Sequence, residues 1–190
     1  MTIFVETERL VLRRFTPDDV DALVDLDSDP AVMHYVTGGV PTPREEIENE
    51  VLPAFLAWYE RHAGFGFWAA EEKASGEFVG WFHLRPDGDA RPGQVELGYR
   101  LQQTAWGRGY ATEGSRALID MAFEEHGVER VVAYTMAVHV ASRRVLEKSG
   151  LRFVRLFHAA WPYPIPGDEE GDVEYALLRE EWESSTPRLA

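Results

Sequence analysis

Between residues 104 and 114 the sequence reads TAWGRGYATEG, with Gly107, Gly109 and Gly114 set among two large aromatics. A strand-like apolar run ends just before it, and helical spacing begins within it. Such a corner can hold an anion. Amides at a helix start have no acceptor inside the helix, aligned peptide dipoles add partial positive charge, and glycine lets a ligand approach the backbone. Many glycine turns are only tight strand-to-helix connections, so the residues alone leave both readings open. No Lys-Ser or Lys-Thr follows to complete a P-loop, and no G-x-G-x-x-G opens a parallel unit at the chain start.

The charge pattern is uneven. Net charge is −14, yet between positions 100 and 155 nine basic residues stand against six acidic ones. That contrast describes either a local anion site or charges on solvated helix faces. A general nucleic-acid binder needs a broad basic face to displace phosphate counterions, so that class is excluded. With no cysteine there is no disulfide, thiolate zinc site or cysteine nucleophile. His34, His62, His83, His126 and His158 show no ligand spacing, so no metal is expected. No apolar run approaches the ~18 residues that span a bilayer. Residues 1–10 lack the basic start and apolar centre of a signal peptide, so a soluble, cytoplasmic protein is expected.

The elements that must hold the corner follow from periodicity. A chain of 190 residues, 45% hydrophobic, is long enough for one buried core, so a single domain over 1–190 is expected. ERLVLRRF alternates as a first strand, and Thr16 then caps a helix with Pro17 at its first position. A second helix begins near Thr42, with Pro53 kinking or dividing it. FGFWAAEE, GEFVGWFHL and QVELGYRL are strands joined by the turn KASG and the hairpin loop PDGDARPG. Beyond the glycine corner come a helix ended by Gly127, the strand VERVVAYTMAV, a helix stopped by Gly150, the strand RFVRLFHAA, a proline-broken loop and the closing strand VEYALL. The expectation is an α/β fold with a mixed sheet of about seven strands, an antiparallel N-terminal meander and about four helices.

Between residues 95 and 153 the order VELGYRL, AWGRGYATEG, VVAYTMAVHVASRRVLEKSGLRF resembles the GNAT superfamily of acyl-CoA-dependent N-acetyltransferases. TERLVLRRFTPDD and GEFVGWFHL are similar to its RimJ/RimL-type branch, and the resemblance covers nearly the whole chain. It implies central strands that splay to admit acetyl-CoA. In the motif Arg/Gln-x-x-Gly-x-Gly/Ala the matching positions are Trp106, Gly109 and Ala111. By that resemblance Trp106, Gly107, Arg108, Gly109, Tyr110, Ala111 and Thr112 wrap the pyrophosphate with backbone amides, and Leu101 pairs its backbone with the pantetheine arm. Gly98 falls where the family places a strand bulge that frees an amide for the thioester carbonyl. A strand glycine commonly marks a bulge, or it admits a neighbouring aromatic such as Trp81.

Acetyl transfer to an amine needs a neutral nucleophile, oxyanion stabilisation and a donor to the departing thiolate. The tyrosine that many members use as donor is replaced by Leu146. Ser142 matches the serine of the branch's Asn-x-x-Ser pattern and implies a hydrogen bond to the CoA sulfur, or it caps its helix. The asparagine of that pattern is His139, which has one hydrogen bond to offer the pantetheine region and an ordinary pKa suited to base work, or is a simple surface histidine. Glu96 is the carboxylate best placed as general base, with Glu113 its rival or a compensator of the helix dipole. An amine of pKa ~10.4 is neutral in only about one molecule in 2,500 at pH 7, whereas one near ~8 is neutral in about one in ten and needs little help. Trp161 and Tyr163, between Pro162 and Pro164, stand to wall an acceptor pocket and Asp168, Glu169 and Glu170 to attract a cation, unless that loop is simply solvated.

The sequence therefore implies an N-acetyltransferase with acetyl-CoA as co-substrate and a primary amine as acceptor: a protein α-amine, an amino acid, a polyamine or an aminoglycoside. No nucleic-acid or membrane partner is expected, and the chain is a monomer or homodimer. The alternative is the same fold without catalysis, as an acyl-CoA sensor or a protein-interaction module.

Overall fold

The computed structural model describes residues 3–87, 92–161 and 164–185. Strands β1 (Ile3–Glu6), β2 (Leu10–Arg14), β3 (Gly66–Glu72), β4 (Phe78–Pro86), β5 (Gln94–Leu101), β6 (Arg130–Met136), β7 (Arg152–Phe157) and β8 (Asp172–Leu178) form one sheet in the order 1-2-3-4-5-6-8-7. All neighbours are antiparallel except β5 and β6. The helices are α1 (Val20–Ser28), α2 (Pro30–Thr37), α3 (Arg44–Glu46), α4 (Leu52–Arg61), α5 (Tyr110–Glu125), α6 (Val140–Lys148) and α7 (Arg179–Ser185).

Both faces of the meander are apolar because consecutive strand residues go to opposite sides. Phe67, Ala69 and Trp81 meet Phe15, Leu23, Leu26, Ile47 and Phe55, so α1 to α4 cover one face. Trp68, Ala70, Phe82 and Leu84 meet Leu118, Ala122 and Phe123, so α5 covers the other.

The strand and helix numbers exceed the sequence expectation. Residues 3–6 pair with β2 as an edge strand, and their four-residue length gives too little alternation to read. Asp29 caps α2 by accepting from Ala31 N at 2.8 Å, with Pro30 at its first position. That pairing divides what periodicity reads as a single helix and its tail. Thr16 precedes a 3₁₀ turn (Pro17–Asp19) rather than the α-helix itself, and Asp19 bonds back to Thr16 N at 2.7 Å. Pro53 does divide the helix after Thr42. It has no N–H for the Asn49 carbonyl, and the turn before it widens into a π segment, Ile47–Val51.

The feature that shapes the site is the seam between β5 and β6. Their parallel ladder holds only Gln94 to Glu96 against Arg130 to Val132. Beyond it, β5 stays paired to β4 as far as Leu101 and β6 stays paired to β8 as far as Met136, so the two strands diverge. Helix α5 starts at the mouth of that opening and is held flat on the sheet by Gly114, where an added Cβ would meet Phe82 Cζ at 2.4 Å. Alanine is the better helix former by about 1 kcal/mol, but overpacking a core costs about 1–3 kcal/mol. Phe82 is fully buried and cannot retreat. G114A is therefore expected to lower the denaturant midpoint despite its helix propensity, and an unchanged or higher midpoint would show that α5 is not seated on Phe82.

Candidate functional site

The turn at residues 106–109 is built by Gly107 and Gly109, both at left-handed φ values of 72° and 87°. Trp106 N reaches Gln103 O at 3.1 Å, and the next engaged amide is Glu113 N, to Gly109 O at 3.0 Å. Between them no amide of residues 107–112 makes a hydrogen bond of ordinary length and angle. A run of unpaired donors at the head of a sixteen-residue helix is an anion cradle. An added Cβ at Gly107 would meet nothing within 4 Å, so the cradle is open to a ligand.

The cradle is fixed from the first strands. Glu113 Oε1 accepts from Thr7 Oγ1 at 2.6 Å and Arg9 N at 2.8 Å, and Oε2 accepts from Arg9 Nε at 2.7 Å. Arg9 also donates to the Arg108 carbonyl at 2.9 Å. Burial pushes the Glu113 carboxyl up, but the bonds from Thr7 and Arg9 outweigh it and hold it below the usual carboxylate range. So committed a carboxylate is a clamp rather than a base. The guanidiniums of Arg9 and Arg108 lie 4.7 Å from the Tyr110 ring centroid, and Glu72 receives both Arg108 and the Tyr110 hydroxyl.

Several expected roles change with the geometry. The Leu101 carbonyl is taken by the Trp106 indole N–H at 2.9 Å, which ties the half-exposed Trp106 to the end of β5. Gly98 marks no bulge: the β4–β5 ladder runs through the His83–Gly98 pair without a shift. Gly98 instead admits an aromatic, and that ring is His83, whose Cε1 would lie 2.4 Å from an added Cβ. Ser142 does not cap α6, which starts two residues earlier at Val140 with His139 in the cap position.

Ser142 meets a partner that sequence reasoning missed. Tyr99 of β5 reaches across the opening, its hydroxyl 3.1 Å from Ser142 Oγ and 3.2 Å from the Ser142 carbonyl. Burial pushes the Tyr99 phenol up to about 12, partly offset by the Ser142 bond. The signal was the strand alternation that puts Tyr99 on the α5 face, beside Leu97 and Leu101 and opposite Glu96. Leu146 lies in the core as an apolar side chain.

His139 is neither a surface histidine nor a group titrating near neutrality. Its ring stacks on Tyr35 of α2 at 4.0 Å, and burial, with a smaller contribution from His34, pushes its pKa down to about 4. On the same side, Glu96 accepts from Arg85 at 2.8 and 3.2 Å. Burial raises the Glu96 carboxyl, but His83 and Arg85 together pull it below the ordinary range.

In the 160s loop, Trp161 donates to Asp172 at 3.3 Å, Asp168 accepts from Ile165 N and Glu169 from Gly167 N, both at 3.1 Å. Two of its three acids thus hold the loop's own turns. Pro162 and Tyr163 lie outside the described residues. Among the described residues no cluster of three metal-ligating side chains occurs, and no helix is long and apolar enough to cross a membrane.

The family model described as acetyltransferase (GNAT) domain matches residues 9–152. The chain is 37% identical over 184 residues to the FsC-acetyl coenzyme A-N(2)-transacetylase of Aspergillus fumigatus, covering 94% of this chain and 77% of that protein. Among solved structures, a GNAT-family acetyltransferase from Bacillus anthracis superposes with a TM-score of 0.73 at 26% identity, covering 95% of this chain and 99% of its own. RimL, a ribosomal alpha-N-protein acetyltransferase solved with coenzyme A, gives a TM-score of 0.75 at 20% identity, covering 93% and 97%.

Releasing Arg9 and the β1–β2 turn from the head of α5 should loosen the cradle without emptying the core. E113A is expected to weaken coenzyme A binding about tenfold, equivalent to about 1.4 kcal/mol. Calorimetry giving an affinity within about twofold of the parent protein would show that the clamp is irrelevant to the cradle.

Proposed function

The chain belongs to the acetyltransferase (GNAT) family, and from that premise we propose that it moves the acetyl group of acetyl-CoA onto a primary amine by direct attack, with no covalent enzyme intermediate. The observation that carries the reading is the run of unpaired amides at residues 107–112, set at the mouth of the β5–β6 opening. Those amides fit a pyrophosphate: they are donors without acceptors, on glycine-permitted backbone, with the α5 dipole behind them. Trp106, Gly107, Arg108, Gly109, Tyr110, Ala111 and Thr112 hold the cofactor in this reading, and Leu101, its carbonyl already held by the Trp106 indole, borders the pantetheine arm without that acceptor to offer.

Ser142 and Tyr99 sit where the strands part and supply the hydrogen bond to the departing sulfur. A phenol pushed up to about 12 is a reluctant acid, so the pair acts as a hydrogen-bonded relay rather than a strong proton source. His139, uncharged through the neutral range, packs the pantetheine end together with Tyr35. Glu96 is the carboxylate facing the acceptor side, and His83 beside it, with Arg85, outweighs burial and makes it a weak base. A weak base suits an amine of low pKa, such as an α-amine near ~8, better than a lysine-type amine near ~10.4. The relative whose name specifies transfer to N(2), and the fold shared with an alpha-N-protein acetyltransferase, support an acceptor of that kind.

A thioester-cleavage assay across α-amines, polyamines, aminoglycosides and protein N-termini tests the reading. Acetylated α-amine products are expected, and binding of acetyl-CoA with no amine-dependent turnover would establish a sensor instead. G109E, which puts a side chain and a negative charge among the amides, is expected to abolish acetyl-CoA binding, and unchanged affinity would remove the site. S142A and Y99F are each expected to lower kcat about tenfold with KM for acetyl-CoA changed less than about threefold. Equal effects on kcat and KM would reduce the pair to packing.

A further inference from the structure

His83 is a buried polar group with no part so far in acetyl transfer, and among the described residues only its ring nitrogens and Ser115 Oγ are buried without a partner. Its residue is 8% exposed, and neither ring nitrogen has a hydrogen-bond partner. A buried imidazole N–H left unpaired costs about 1–3 kcal/mol. A native structure rarely carries such a group without a reason. The ring stacks on Trp81 at 5.8 Å and meets the Phe67 edge at 5.3 Å, so its position is fixed on two sides. On the third side lies Gly98, the one residue type whose missing side chain leaves room for it. The fourth side faces Glu96: Nε2 is 3.6 Å from Oε1, just beyond hydrogen-bond length. Glu96 in turn pairs with Val132 at the last rung before β5 and β6 separate.

We propose that His83 is the proton partner and positioning residue of Glu96, taking up through that carboxylate the proton that the acceptor amine loses. The inference rests on the acetyltransferase reading. The amine lone pair forms the new N–C bond, the C–S bond breaks with its electron pair on sulfur, and the thiolate gains a proton from solvent through the Tyr99–Ser142 pair. The nitrogen gives one proton to Glu96, which hands it to His83 Nε2, and after the amide leaves the imidazolium returns it to solvent through the more exposed Glu96. The balance is amine plus thioester giving amide plus thiol. Glu96 held by Arg85 is too weak a base to retain the proton, and a neutral imidazole behind it gives that proton a place to go.

The charged groups facing His83 are Glu96 and Arg100 from β5 and Arg85 from its own strand, whereas β3 contributes the uncharged Phe67. On β6 the Tyr134 phenol also feels Glu96. Burial is the largest influence on His83 and lowers its pKa; Arg85 and Arg100 act in the same sense, and Glu96 opposes them. The imidazole is therefore neutral and receptive at pH 7, and becomes protonated only below the ordinary value of about 6.5.

Two measurements test the pairing. For the wild-type enzyme with an α-amine acceptor, log(kcat/KM) is expected to fall with slope one as the acceptor protonates. The slope should steepen toward two at the lower pH where His83 protonates. For H83Q, kcat is expected to drop about 100-fold, the low end for general acid–base groups, with acetyl-CoA affinity by calorimetry within about twofold and the slope fixed at one throughout. An H83Q protein with kcat within threefold of wild type and an unaltered profile makes His83 a packing residue. If H83Q does not fold, H83N takes its place, and kcat within threefold of wild type with an unaltered profile overturns the inference. A wild-type chain that binds acetyl-CoA but acetylates no amine overturns the reading and this inference together, whereas an active wild type with an indifferent H83Q overturns this inference alone.

Discussion

Separation of β5 from β6 after Glu96 is the constraint on which the other features depend. Strands that lie side by side for three rungs would ordinarily continue to pair, because each unpaired buried peptide group costs about 1–3 kcal/mol. Here they are held apart from both sides. Arg100 near the end of β5 donates to Asp27 of α1 at 2.6 and 2.7 Å, and Thr42 adds a bond to the same carboxylate at 3.1 Å. The β6 side is fixed by seven rungs with β8. Tyr99 spans the gap with a side chain instead of a ladder, which leaves backbone groups of β5 available to a ligand that enters edge-on.

That opening divides the site between two faces of the sheet. On the α5 face lie the amides of residues 107–112, Tyr99 and Ser142, all suited to an anionic thioester. On the face covered by α1 to α4 lie Glu96 and His83, with Tyr35 of α2 stacked on His139. Strand alternation creates the division: Tyr99 goes one way, Glu96 and Gly98 the other. The ion pair between Arg100 and the buried Asp27 then joins α1 to the far end of β5.

Local rules made some of this legible in sequence and long-range contacts hid the rest. The glycine corner was readable because a left-handed turn before a helix demands Gly107 and Gly109, and Pro53 because a missing N–H must interrupt a helix. The meander was readable from alternation and its turn residues. Asp29–Pro30 carried a start signal that the preceding helical run obscured. Edge strand β1 is too short for a period to show. The partner of Gly98 was one alternate residue along β4 from the one expected, His83 rather than Trp81, and only register distinguishes them. Nothing local announces that Ser142 lies beyond a helix cap, that Tyr99 reaches it from 43 positions away, or that Tyr35 lies against His139. Each depends on how the layers close.

The basic character of residues 100–155 illustrates the same point in electrostatic terms. Folding assigns most of those cations to acids or carbonyls: Arg100 to Asp27, Arg108 to Glu72, Arg130 and Arg155 to Glu174, Arg152 to Glu181, and Arg116 to the Lys148 carbonyl. What remains uncompensated at the cradle is the partial charge of the amides and about half an elementary charge from the α5 dipole. Glu113 in the first turn would cancel that field if it were free, but Arg9, which also donates to the Arg108 carbonyl, neutralises it. Fixed backbone donors need no reorganisation to meet a diphosphate, and they lose nothing when the surrounding surface is acidic. Affinity for a polyanion then comes from the position of peptide groups rather than from net charge, which is how a chain of net charge −14 can present an anion site.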